Sequence, residues 1–331
     1  MTDERAHWLA ESVDQAYWEL VERLPEMARR LAIQRGTFDH RSGDAPMRSL
    51  AERNAINTGP LFLFWELCQS IEDESLLVLA LASAYSGLAY ILLDHLVDNQ
   101  TADASAVTLL QQTFHEKAIR EYQRLFTEDH EFWHEFDRLS TGLRTSLALE
   151  AACRKEPERF SEESFTTSTR GKVSPAVLTI TAATMLAADL GDQARVVLRS
   201  RIEAALEELI CAGQLAHDIE EWRKDLAEGD MTFFLSDCAS AEEWQRFPWP
   251  AEDEIERRMF QSRREIHYCQ QAVQGFERAK EYGETIELDG GFAPSFANWE
   301  HYIDHYIVQS GQFAEEATKR FVKRVILGLT S

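Results

Sequence analysis

Apolar residues recur at intervals of three and four almost from the start of this chain. Leu9, Val13, Tyr17, Leu20, Leu24, Met27 and Leu31 trace one stripe, the spacing of an amphipathic helix with a single buried face. Pro25 interrupts it and predicts a break, because proline removes an amide donor and clashes with the preceding turn. The segment 36–46 carries loop residues. Helical patterns then cover about 47–71 (interrupted at Gly59-Pro60), 75–99, 104–127, 129–154, 160–189, 193–228, 252–281 and 295–328. Alternating runs bounded by turn dipeptides are almost absent, and no self-similarity of the kind that marks a solenoid is found. The weakest stretches, 36–46, 241–252 and 283–294, are short and none reads as a linker. The expectation is an all-α protein with one domain over residues 1–331. It predicts a bundle of about nine to twelve helices around a central cavity, because helical bundles build their sites between facing helices.

Residues 76–93 hold no charged side chain and just reach the length of a membrane-spanning helix. They are rich in Ala, Ser and Gly, are flanked by Asp73-Glu74 and Asp94, and lack basic anchors. These features favour a buried core helix over a membrane span.

Composition narrows the class. The 331 residues carry 57 Asp and Glu against 34 Lys and Arg, a net charge of −23, which argues against nucleic-acid binding through neutralised phosphates. A hydrophobic share of 44% with 10% aromatics is too apolar for an acidic disordered chain. Cys68, Cys153, Cys211, Cys238 and Cys269 are odd in number and form no C-x-x-C pair, which excludes the usual zinc-knuckle spacing and disfavours a disulfide framework. No basic stretch followed by an apolar one marks the first residues, so no secretory signal is expected and a reducing cytoplasm is the expected setting.

Candidate chemistry begins where the uncharged helix ends, in Leu93-Asp94-His95-Leu96-Val97-Asp98. Asp94 and Asp98 lie four apart, on one helical face about 40° from each other. Two carboxylates at the mouth of an apolar cavity suit Mg²⁺, which prefers oxygen ligands and keeps waters or phosphate oxygens in its shell. A solvated acidic helix end is the plainer alternative. A second constellation is Gln214-Leu215-Ala216-His217-Asp218-Ile219-Glu220-Glu221-Trp222-Arg223-Lys224-Asp225, followed by Gly229-Asp230-Met231-Thr232-Phe233-Phe234. At helical spacing Asp218, Glu221 and Asp225 fall within about 60° of one another, a stripe able to hold a further Mg²⁺ across a cavity from the first pair. His217, Glu221 and Asp225 form an overlapping stripe, less favoured because imidazole is a poor ligand for a hard cation.

The two acidic motifs, about 120 residues apart in an all-helical chain, resemble the metal motifs of class I isoprenoid synthases, the trans-prenyltransferases and class I terpene synthases. His95 stands where the prenyltransferase pattern D-D-x-x-D has its second Asp, and His217 replaces the leading Asp of the second motif. The retained Leu93-Asp94-x-Leu96-x-Asp98, with Gln214, Asp218, Glu221 and Gly229-Asp230-Met231-Thr232-Phe233, is closer to the bacterial class IB, or large-terpene, synthases. The resemblance implies a prenyl diphosphate substrate and Mg²⁺ held by Asp94, Asp98, Asp218, Glu221 and Asp225. It also implies a basic residue well before the second motif that contacts the diphosphate, a place filled here by Arg170 or Lys172 in Arg170-Gly171-Lys172-Val173-Ser174-Pro175. Gly171 and Pro175 are expected to break the helix there and present backbone amides to an anion. Prenyltransferases bind isopentenyl diphosphate through a Gly-Lys-Arg cluster and an Arg-Arg pair. The tract after Asp98, Asn99-Gln100-Thr101-Ala102-Asp103, carries no cation, and the N-terminal loop offers only Arg41 and Arg48.

The favoured expectation is therefore a terpene synthase that ionises one acyclic prenyl diphosphate. A trans-prenyltransferase, a non-catalytic homologue and a plain helical scaffold are the alternatives. A carbocation needs exclusion of water and aromatic faces. Phe62, Phe64, Trp65, Tyr85, Tyr90, Phe165, Phe233 and Phe234 are the candidates, with Tyr90, one turn before Asp94, placed to limit chain length. Tyr90, Phe62, Trp65, Phe233 and Gln214 are taken as substrate-binding. Arg263 and Tyr268 are further candidate diphosphate contacts by the same resemblance. The pairs His301/His305 and His130/His134 lack a third ligand and read as structural. The resembled family also implies a homodimer.

Overall fold

The computed structural model describes residues 3–36, 50, 58–97, 103–246, 249–284 and 296–326. Among them every regular element is helical, and eleven helices have nine residues or more. Two compact units are formed, neither continuous in sequence.

The first unit takes Met1–Gly142, Val173–Glu203 and Ile286–Trp299. It opens with α1 (Glu4–Glu22) and α2 (Glu26–Gly36), separated at Pro25 as the missing amide donor requires. Asp3 caps α1 by accepting from the Arg5 amide and also accepts, at 2.6 Å, from the Trp65 indole. Pro60 starts the single turn α3 (Pro60–Leu63), followed by a 3₁₀ turn Trp65–Cys68. The uncharged run becomes α4 (Asp73–Val97), which packs on α1, on α5 (Ala104–Leu125) and on α8 (Ser174–Leu186). Among the described residues α4 alone is long and apolar enough to cross a membrane, and 72% of its most apolar window is buried inside the protein. Such all-round apolarity belongs to a helix with neighbours on several sides. Residues 174–184 of α8 are likewise all buried. Its Thr179 hydroxyl bonds back to the Pro175 carbonyl at 3.0 Å, which satisfies a polar group inside the core. Rings of Tyr17, Phe114 and Tyr85 stack in series at 6.0 Å.

The second unit takes Leu143–Lys172, Ala204–Thr285 and Glu300–Ser331. The unit boundaries fall within α6 (Phe132–Lys155), α9 (Asp192–Glu228) and α14 (Ala297–Ile326). The pattern expected over 160–189 divides into α7 (Glu162–Arg170), a 3₁₀ turn Gly171–Val173 and α8, the break that Gly171 and Pro175 signal. Gly229, at φ +79°, ends α9. The pattern over 252–281 also divides, into α12 (Glu252–Ser262) and α13 (Arg264–Glu284), because Arg263 adopts a left-handed conformation. Short turns α10 (Phe233–Ser236) and α11 (Ala241–Trp244) precede α12. A Cβ built on Gly275 of α13 would lie 2.9 Å from the Ala212 Cβ of α9, so these helices meet at a contact that only glycine permits.

Candidate active site

The acidic stripe of α9 carries two of the four buried charged residues, Glu150, Lys172, Asp218 and Asp225, among the described residues of the second unit. Asp218 is 2% exposed and Asp225 8%, whereas Glu221 is half-buried. The Gln214 amide donates to Asp218 Oδ1 at 2.7 Å, one turn away on the same face. Burial pushes the Asp218 carboxyl up to about 7, with Asp225 and Glu150 adding like-charge repulsion against the Gln214 hydrogen bond and the charge of Lys172. Burial likewise raises Asp225 to about 6, reinforced by Glu221. Glu221 itself accepts from Lys224 at 2.9 Å and faces the exposed His217 imidazole at 3.9 Å. The helix thus buries Asp218 and Asp225 and leaves His217 exposed.

The break after α7 sends its two cations to different places. Lys172 is buried, and its Nζ lies 2.6 Å from Glu150 Oε2 on α6. Arg154, one turn beyond Glu150, binds the other carboxylate oxygen at 3.0 Å. Glu150 and Lys172 both act on Asp218, so one desolvated cluster joins α6, the 3₁₀ turn and α9. Arg170 instead reaches Glu207 at 3.6 Å and Glu208 at 3.2 Å from a side chain 45% exposed. Arg278 shares Glu208 with it at 2.9 Å. Of the two basic candidates, Lys172 is the one beside the acidic motif. Glu150 was not singled out from sequence. Its only local signal is a lone carboxylate within Ser146-Leu147-Ala148-Leu149-Glu150-Ala151-Ala152-Cys153.

Phe233 closes this part of the second unit. Its ring stacks on Phe165 at 4.7 Å and meets Tyr268 edge-on at 5.6 Å. The Tyr268 hydroxyl donates to Asp237 Oδ2 at 3.0 Å, so a protein carboxylate already engages it. Gly229 and Thr232 set this turn, Thr232 by capping α10 through the Leu235 amide.

The remaining candidates lie in the first unit. Asp94 and His95 are half-buried in the last turn of α4, and Tyr90 is buried one turn earlier. Asp98 lies outside the described residues. The Phe62 and Trp65 rings stack at 5.9 Å and nearly parallel, and the Phe62 carbonyl accepts from Asn298 at 2.7 Å. Phe64 is a core residue, stacked on Trp299. Tyr85 belongs to the stack with Phe114, and Phe234 is fully buried. His130 accepts from the Phe132 amide, and His134, His301 and His305 are exposed.

Among the described residues no three His, Cys, Asp or Glu side chains close around a point as a complete metal cage. Hard oxygens of Asp218 and Asp225, held in low dielectric, still fit Mg²⁺. That ion accepts one or two carboxylates and fills its shell with water and phosphate oxygens, and a cation would offset the burial that raises both carboxyls.

No protein-family profile matches the chain, and no curated protein matches it in sequence. Solved structures do. A polyprenyl synthase from Roseobacter denitrificans superposes with a TM-score of 0.62 at 14% identity, covering 93% of this chain and 98% of that one. A geranylgeranyl pyrophosphate synthetase from Geoglobus acetivorans gives 0.62 at 14% identity, over 92% and 97%. A polyprenyl synthase from Caulobacter crescentus, complexed with calcium and isoprenyl diphosphate, gives 0.59 at 18% identity, over 90% and 97%. The chain therefore has the all-helical fold of these isoprenoid synthases.

Proposed function

We propose that the chain is a prenyl-diphosphate-processing enzyme whose Mg²⁺ ligands are Asp94 and Asp98 in one motif and Asp218, Glu221 and Asp225 in the other. The observation that carries this reading is the buried trio of Asp218, Asp225 and Lys172 on a fold shared with polyprenyl synthases. Buried carboxylates are costly unless a cation or proton compensates them, so their retention favours a ligand that brings positive charge. When bound, Mg²⁺ supplies Lewis-acid withdrawal of charge from the diphosphate leaving group. Lys172, paired with Glu150, offers the diphosphate a directional donor. Gln214 orients Asp218, and the Phe165–Phe233 stack provides an aromatic wall that excludes water from a cation formed nearby. Five cysteines without a disulfide among them accord with a reducing cytoplasm as the setting.

Ionisation is common to two reactions. Coupling of the allylic cation to isopentenyl diphosphate, with chain elongation, is the reading that the likeness to polyprenyl and geranylgeranyl synthases supports. Cyclisation or elimination to a terpene is supported by a different observation, the cation-free tract 99–103, which offers no counter-charge to a second diphosphate.

The test is incubation of purified protein with C10, C15, C20 and C25 prenyl diphosphates, with and without Mg²⁺ and isopentenyl diphosphate, read by mass spectrometry. A longer diphosphate formed only with isopentenyl diphosphate establishes elongation. A Mg²⁺-dependent hydrocarbon or alcohol from one substrate alone establishes the synthase. No turnover under any condition overturns both.

A further inference from the structure

Exposure falls along three linked side chains of the second unit, from half-buried Arg154 to buried Glu150 and Lys172. The Glu150 carboxylate takes Arg154 on Oε1 at 3.0 Å and Lys172 on Oε2 at 2.6 Å, so each oxygen has its own cation. Arg154 follows Glu150 by one turn of α6, whereas Lys172 comes from the 3₁₀ turn Gly171–Val173. Arg154 thus fixes the orientation of the carboxylate, and the carboxylate fixes the lysine.

A second carboxylate lies within reach of the same lysine. Asp218 is buried too, and the charge of Lys172 acts on it. Coulomb attraction is strong away from water, and the lysine stem is flexible, so a buried ammonium is drawn to a buried carboxylate. Yet the hydrogen bond on Asp218 comes from the neutral Gln214 amide. An ammonium on Asp218 would neutralise that carboxylate from inside the protein, and an incoming metal ion would have to displace it. Glu150 removes the competitor. It also adds like-charge repulsion to Asp218, so a carboxylate at this place is a burden unless it serves the lysine.

We propose that Glu150, oriented by Arg154, is a positioning residue that holds Lys172 off Asp218 and so leaves Asp218 open to a divalent cation, a role that rests on the proposed reading of Asp218 as a Mg²⁺ ligand. Glu150 is not itself a ligand, because cations of the protein occupy both its oxygens. A fixed ammonium and a metal-binding carboxylate then coexist without cancelling each other, and a diphosphate site uses both kinds of positive charge.

The first test needs no metal. The full chain is melted in EDTA as wild type, Asp218→Asn, Glu150→Gln and the double variant of these two. On its own Asp218→Asn is expected to keep or raise the melting temperature, since it removes a desolvated charge. In the Glu150→Gln background the same substitution is expected to lower it, because Asp218 has become the partner of Lys172. The same effect in both backgrounds overturns the proposal. The second test reads the Mg²⁺ concentration at half-maximal stabilisation, at constant ionic strength and without diphosphate. Glu150→Gln is expected to raise it about tenfold or more, and Glu150→Gln/Lys172→Met to match Lys172→Met. A double variant about tenfold weaker than Lys172→Met makes Glu150 a ligand and overturns the proposal. That comparison serves even where Glu150→Gln alone fails to fold, since losing both charges of a buried pair is tolerated better than losing one. A reversal in EDTA with no Mg²⁺ response in wild type keeps the hold on Lys172 and overturns the metal reading of Asp218. A Mg²⁺ response without the reversal does the opposite.

Discussion

Lys172 and Arg170 lie two positions apart, yet one is buried against Glu150 and the other is half in solvent beside Glu207 and Glu208. The 3₁₀ turn between them rotates their side chains to different surroundings, and environment decides what each is worth. Removing one partner of a buried ion pair leaves an uncompensated charge and costs about 3–5 kcal/mol, whereas an exposed pair contributes about 0–1 kcal/mol. Lys172→Met is accordingly expected to lose several kcal/mol in urea denaturation, and Arg170→Gln less than about 1 kcal/mol. Turnover separates them in the same order: a loss of about a hundredfold or more at Lys172, of the size general for a charged group that contacts a reacting oxyanion, and a few-fold at most at Arg170. Equal effects at the two positions would remove Lys172 from the site. The sequence offered both residues and had no means of ranking them. The ranking depends on Glu150, whose contact with Lys172 spans 22 positions and whose approach to Asp218 spans 68.

At the scale of elements, the chain's punctuation explains most of what can be read without coordinates. Pro25, Pro60, Gly171 with Pro175, and Gly229 each end or begin a helix where the sequence places them. The break at Arg263 had no such signal, because Gln261-Ser262-Arg263-Arg264 contains no glycine, proline or asparagine. Tertiary packing of α12 and α13 imposes that turn against local preference. Helix contacts were similarly invisible in Gly275, which reads as an ordinary mid-helix glycine until its distance to Ala212 is known. Gly275→Ala is expected to destabilise by about 1–3 kcal/mol through overpacking. Gly213→Ala and Gly311→Ala, with open space around the added methyl, are expected to stabilise by about 0.5–1 kcal/mol through helix propensity. Denaturant midpoints check all three. A pH effect belongs at this scale too, since Arg258 of α12 ties Glu243 of α11 to Glu254 of its own helix. Its guanidinium is the main cause that holds Glu243 down to about 2 from an ordinary 4.5, with Ser240 adding hydrogen bonds, and it joins Arg257, the larger influence, in holding Glu254 down to about 2. Depressed carboxyls stabilise the fold fully above their unfolded value and cease to do so as pH falls through the folded one. The melting-temperature gap between wild type and Arg258→Met should hold from pH 7 to about 5 and close by about pH 2; a gap independent of pH would refute the cluster.

For the whole molecule, a net charge of −23 complicates any claim about Mg²⁺, because a strongly acidic protein gains from every cation through screening of its self-repulsion. Raising NaCl from about 10 mM to about 150 mM shrinks the Debye length from about 30 Å to about 8 Å. That change should raise the melting temperature of wild type and of every carboxylate variant alike. Specific binding adds a second increment that depends on affinity and appears at constant ionic strength. Asp218 and Asp225 distinguish the two effects because they are buried, beyond the reach of a diffuse ion atmosphere. Asp218→Asn and Asp225→Asn remove a desolvated charge, so without divalent ions each should melt at or above the wild-type temperature. Replacing NaCl by MgCl₂ at equal ionic strength should then stabilise wild type, more so with inorganic diphosphate present, and leave both variants unmoved. An equal response in the variants would assign the Mg²⁺ effect to the acidic surface and withdraw the two buried carboxylates from the metal site.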